Sequence, residues 1–220
     1  MSGSIWQWVY LGLRSYPLVG LSDSPQITAH ELARLEDRDF LLTKRVIDEK
    51  VTALLLATQQ RLSAHIIDKD ITLPDEISLN PRKVAKGENY QSLPYWVCDF
   101  PASLNKTDIW TFRIVVWWGK EVSLNLILKG KFKQECAPLS PQESSDGIFY
   151  STHSDPWILE LDAPTSLKMT PENETNIVNH FQTSDFLKLS QSLQLNEINN
   201  LAELSVISFD KLLAMINYLA

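Results

Sequence analysis

The sequence predicts an α+β fold: an antiparallel sheet centred on a β-hairpin over residues 109–132, packed against a long N-terminal helix, with a C-terminal helical region. Three observations lead there. Residues 109–132 carry large apolar side chains at every second position, the period of a strand. Residues 28–66 repeat leucine, valine and isoleucine at helical spacing. Like elements follow one another in runs rather than in βαβ alternation.

In the first strand of the hairpin Trp110, Phe112, Ile114, Val116 and Trp118 share one face. In the second, Val122, Leu124, Leu126 and Leu128 do, because strand side chains alternate. A two-residue turn at Gly119-Lys120 would set Ile114 against Asn125. A three-residue loop over 119–121 pairs Trp118 with Val122, Val116 with Leu124, Ile114 with Leu126 and Phe112 with Leu128, and this is the expected register. Its weak point is Glu121, which stands where such loops favour glycine. Burying eight apolar residues at about 1.5–3 kcal/mol each outweighs a poor turn residue at about 1 kcal/mol.

The opposite face carries Arg113, Val115, Trp117 and Ile127, and these four are the candidate ligand- or partner-binding residues. A half-apolar sheet face is either covered by another element or is a contact surface. Exposed tryptophans stack on sugars or bases and anchor partner proteins. Of the seven tryptophans, Trp117 beside Arg113 is therefore the one singled out, while Trp96, Trp110 and Trp118 are expected in the core.

Residues 5–21 are apolar and aromatic. No basic residue precedes them, Arg14 interrupts them and Pro17 follows, which does not fit a secretory signal. They are expected to pack against the core. In the 28–66 stretch, Thr28 and Glu31 form a capping box. Leu32, Leu35, Leu42, Val46, Val51, Leu54, Leu55, Leu62 and Ile66 mark the apolar stripe. Unbroken, it would be about 58 Å long, and Glu36-Asp37-Arg38-Asp39 is the candidate break.

Residues 71–93 read as loop. Residues 95–100 read as a short strand closed by Pro101, and 132–147 as an exposed connector. Two strands are expected at 148–151 and 156–161. Thr170-Pro171 with Glu172 and Glu174 opens a helix. Short helices begin at Ser184 and Asn196, and Ser208 opens a last one through Phe209, Leu212, Ile216 and Leu219. One domain spans 1–220, with 168–220 as a candidate helical subdomain.

Composition narrows the function. The 220 residues carry a net charge of −7, without the basic footprint of a nucleic-acid binder. The acidic excess lies in 136–220, with three lysines against eleven carboxylates. No apolar run reaches the roughly 18 residues of a membrane span. Two cysteines and four dispersed histidines match neither a disulfide framework nor a metal motif. No glycine-rich phosphate loop or GxSxG elbow occurs, so no cofactor is expected. Cys98, flanked by Trp96-Val97 and Asp99-Phe100, reads as a core thiol rather than a nucleophile. His153 and Asp155 read as a turn ahead of Pro156 rather than an acid–base pair.

The expectation is a cytoplasmic interaction or scaffold protein without catalysis, metal or cofactor. Its partner would be a protein, including a second copy through the 28–66 helix; neither nucleic acid nor membrane is expected. Two alternatives stand. One is a small-ligand binder for a sugar or nucleotide, which a tryptophan-lined pocket with polar groups would favour. The other is an enzyme with a non-motif site, which a His153–Asp155–Cys98 cluster would favour.

Overall fold

The computed structural model describes residues 25–137, 139, 147–162 and 164–216. The expectations for 5–21, for Leu219 and for residues 138 and 140–146 of the 132–147 connector fall outside the described residues. The chain divides into two compact units, Met1–Arg45 and Val46–Ala220.

In the first unit, helix α1 spans Ala29–Leu35. The Thr28 hydroxyl accepts from the Glu31 N–H at 3.2 Å, and the Glu31 carboxylate accepts from the Thr28 N–H at 2.8 Å. The capping box is formed as the spacing demands. The helix then breaks at Glu36-Asp37, within the acidic–basic quartet. Asp37 Oδ1 accepts from the Phe40 N–H at 2.9 Å, capping helix α2, Arg38–Asp68, as an N-terminal aspartate does. No residue of α1 is buried.

The second unit holds an antiparallel seven-stranded sheet in the order β1-β2-β3-β4-β7-β5-β6. The strands are β1 Ala85–Tyr90, β2 Leu93–Leu104, β3 Ile109–Trp117, β4 Val122–Lys129, β5 Ile148–Ser151, β6 Ser166–Lys168 and β7 Phe186–Leu193. Helix α3, Lys131–Gln134, follows β4. Helix α4, Glu174–Thr183, precedes β7, and α5, Leu201–Met215, ends the described chain. One sheet face carries Trp96, Trp110, Phe112, Ile114, Leu124, Leu126, Leu187 and Leu189. It packs in one cluster with Val51, Leu55, Leu62 and Ile66 of α2 and Leu201, Phe209 and Leu212 of α5. The Phe209 ring meets Phe112 edge-on at 5.3 Å. His65 Nε2, buried, lies 2.8 Å from the half-exposed Asp210 Oδ1, and Arg61 pairs with Glu203 at the surface, tying α2 to α5.

Several expectations are corrected. The hairpin pairs Val116 with Val122, Ile114 with Leu124, Phe112 with Leu126 and Trp110 with Leu128, two residues away from the expected register. A shift of two leaves every side chain on its expected face, so apolar patterning cannot detect it. The turn decides. Lys120 N–H bonds Trp117 O at 3.1 Å, which places Gly119, at φ +70°, third in a four-residue turn where a positive φ suits glycine. Glu121 is thereby relieved of the position it fits poorly, and its carbonyl accepts from Trp117 N–H at 2.9 Å.

The segment from Ser184 through Phe186, Leu187 and Leu189, read as a short helix, instead enters central strand β7, which pairs with β4 along its whole length. Leucine favours helix only weakly, and sheet pairing overrides it. Residues 85–90, read as loop, form edge strand β1. Strand β2 runs through Pro101 to Leu104, with the register shift between Asp99 and Ala102 absorbing the proline, as bulges do. Residues 156–161 are not a strand. Ser208 lies buried inside α5 rather than opening it, and Phe132 of the expected exposed connector is buried.

The two positive-φ glycines beside β4 give a comparative test. A Cβ on Gly119 would meet nothing within 4 Å, whereas on Gly130 it would lie 2.5 Å from Thr107 O and 2.2 Å from Asp108 Oδ1. Asp108 Oδ1 in turn accepts from Lys131 N–H at 2.8 Å. Gly119→Ala should cost about 1 kcal/mol from backbone strain alone, and Gly130→Ala clearly more, as measured by denaturant midpoints. Leu124→Ala in the core should cost about 2–5 kcal/mol.

Candidate functional site

The face of the sheet opposite the helices carries a row of polar side chains across its four central strands. Asp99, Arg113, Asn125 and Ser190 are successive cross-strand neighbours. Period-two alternation places them all on the side away from the core. Arg113 Nε donates to Asp99 Oδ1 at 2.7 Å and its Nη2 to Asp99 Oδ2 at 2.9 Å, the two-pronged geometry that suits guanidinium and carboxylate. Thr111 donates to Asp99 Oδ1 at 3.0 Å. Asn125 donates to Arg113 O and accepts from the Ser190 hydroxyl at 2.7 Å. The row is satisfied internally, as buried polar groups must be.

A segment without regular structure, residues 152–162, lies over this face. The Trp157 ring sits 4.0 Å from the Arg113 guanidinium carbon, a cation–π stack. Leu159 packs with Val97, Val115 and Trp117. Lys188 Nζ donates to Ile158 O, and the Tyr90 hydroxyl accepts from Leu159 N–H at 3.2 Å while donating to Glu160. The four residues singled out in the sequence are thus brought together beneath a cover. Val115 and Ile127 are buried, Arg113 is mostly so, and Trp117 is 4% exposed. Trp96 and Trp110 are in the core, and Trp118 stacks on Trp96 at its margin.

At the rim of the cover lies an open cleft of about 950 Å³. Trp117 forms part of its wall with Phe149 of β5, Ser166 and Lys168 of β6, and Glu160 at the end of the cover. Glu160 accepts from Gln91 as well as from Tyr90. Burial, with the Glu160 hydrogen bond adding to it, pushes the Tyr90 phenol up to about 12, so it remains a donor at neutral pH.

The residues weighed for catalysis do not converge. His153 Nδ1 accepts from Asp155 N–H at 2.9 Å, and Asp155 Oδ1 from Trp157 N–H, a turn interaction of the kind expected ahead of Pro156. Cys98 pairs across the sheet with Ile114 in the core. Burial pushes its thiol up to about 12, which opposes thiolate formation. His180 hydrogen-bonds the Tyr150 hydroxyl at 3.0 Å, and His65 serves Asp210.

Lys188 had no signal in the sequence, since its segment was assigned to a helix. The residue is 3% exposed. Burial first, and Arg113 second, push it down to about 8 from its usual 10.5. The folded protein therefore releases this proton near pH 8, and the unfolded chain only near 10.5. Unfolding takes up a proton at Lys188 in that window, so this residue's contribution to stability grows with pH across it, by about 3 kcal/mol in full, while the raised Cys98 thiol and Tyr90 phenol contribute with the opposite sign above about pH 9. Lys188→Met should remove this contribution, visible as a less positive slope of unfolding free energy against pH between 8 and 10.5 in the variant than in wild type. An identical slope in wild type and variant would show that Lys188 is not the group responsible.

A second surface stands in the first unit. Ile27, Leu32, Leu35, Phe40, Leu41 and Leu42 are all exposed, Leu35 to 68%. They make up more than half of the large exposed apolar side chains among the described residues. Of these, Leu32, Leu35 and Leu42 belong to the apolar stripe read in the sequence, and all three are exposed. Among the described residues, no helix is long and apolar enough to cross a membrane. No protein-family model, curated protein or solved structure matches this chain.

Proposed function

We propose that this chain is a cytoplasmic protein-interaction module that engages a protein partner through the apolar side chains of α1 and the start of α2. The observation that supports the reading is their concentration: six large apolar residues between Ile27 and Leu42 lie open to solvent. Scattered apolar residues on a surface are ordinary, but a contiguous run of them marks a contact site. Helix α1 adds to the argument. It has seven residues, none buried, and a helix that short is marginal in water without packing. A partner surface supplies the missing contact, in the manner of a helix laid in a groove.

The test is the double variant Leu35→Ser, Leu42→Ser, compared with the wild-type chain by thermal melting, sedimentation and affinity capture. The expected outcome is an unchanged melting temperature, because exposed side chains contribute within about 0.5 kcal/mol, together with loss of a captured partner or dissociation of a homodimer. The second outcome would identify the partner as another copy of the chain. A lowered melting temperature would mean that the strip is already covered within the chain, and would overturn the proposal. So would an unchanged mass and unchanged capture.

A further inference from the structure

We propose that the cleft beside Trp117 is a second, independent site, which binds a neutral polyhydroxylated molecule of the sugar or sugar-alcohol class. Its volume of about 950 Å³ is that of a small-molecule site. Two buried side chains of its wall carry polar atoms with no hydrogen-bond partner, Trp117 Nε1 and Ser166 Oγ. Both residues are more than nine-tenths buried. Buried polar groups are almost always paired in folded proteins, so an unpaired donor and an unpaired hydroxyl in one cavity wall point to something the cavity takes up. Separate hydroxyls of one ligand can answer each: one accepts from the indole N–H, and another either accepts from or donates to the serine.

The remaining wall selects among ligands. Lys120 and Lys168 stand against Glu121, Glu160 and Asp162, so the lining is net acidic and opposes a phosphate or a nucleotide. The Glu160 carboxylate is held by Tyr90 and Gln91, and Glu121 by the Ser192 hydroxyl. Both are fixed acceptors with lone pairs to spare, which suits an array of hydroxyl donors. Phe149, half-buried in the same wall, offers an aromatic surface for the C–H face of a sugar ring.

The test titrates the full chain with glucose, cellobiose and myo-inositol, and with glucose 6-phosphate and adenosine monophosphate as anionic counterparts, read by calorimetry and tryptophan fluorescence. The expected result is saturable millimolar binding of at least one neutral probe, with the anionic probes at least tenfold weaker. Ser166→Ala and Trp117→Phe should each weaken binding by about tenfold, the loss of one hydrogen bond. Ser166→Ala alone decides if Trp117→Phe proves unstable. Leu35→Ser, in the helical strip, should leave binding unchanged, so that failure of either proposal is distinguishable from failure of the other. No saturation by any neutral probe, equal or tighter binding of the phosphate, or wild-type affinity in Ser166→Ala would each overturn the inference.

Discussion

The ladder between β3 and β4 is the constraint on which the second unit depends. All but one of the residues of each strand are buried, so both faces of the ribbon must be covered at once. The inward face is closed by α2 and α5 around Phe112, Leu124 and Leu126. The outward face needs a lid of its own, and the 152–162 segment supplies it. On a strand buried on both sides, each polar group left unpaired is costly. That requirement explains why Asp99, Arg113, Asn125 and Ser190 sit in register and exchange hydrogen bonds, rather than being scattered along their strands.

The same requirement shapes the margin of the lid. Where the cover ends, at Glu160 and beyond, the sheet thins to the short strands β5 and β6, and a cleft opens. Glu160 and Glu121 in its wall are held by hydrogen bonds, while Trp117 Nε1 and Ser166 Oγ have no partner. Lys188 is the costliest group under the lid: a cation whose direct hydrogen bond is to a backbone carbonyl rather than to a carboxylate. Its neighbour Arg113 is satisfied by Asp99 and stacked by Trp157, so the two cations are held by unlike means. One has a carboxylate, and the other only a carbonyl dipole and the more distant Asp155 and Glu160.

The first unit obeys a different balance. Its helical signals are all local: a capping box, an aspartate at the second helix start, and leucines at helical spacing. They suffice to fix the backbone there. They do not bury the leucines, which stay exposed.

Local signals are what the sequence by itself determined. The capping box at Thr28, the break within residues 36–39, the face assignments of the hairpin and the strand at 148–151 all follow from neighbours within a turn or an alternation, and all are present. Only the tertiary structure decided the rest, because those features depend on partners far away in the chain. The hairpin register differs by an even step that patterning cannot distinguish and that the Gly119 turn fixes. The helix-favouring leucines of 186–193 became a strand because β4 offered an open edge to pair with. Trp117 was legible as unusual, but its burial rests on Leu159, some forty residues later, and the cleft beside it rests on a cover that carries no strand or helix signal of its own.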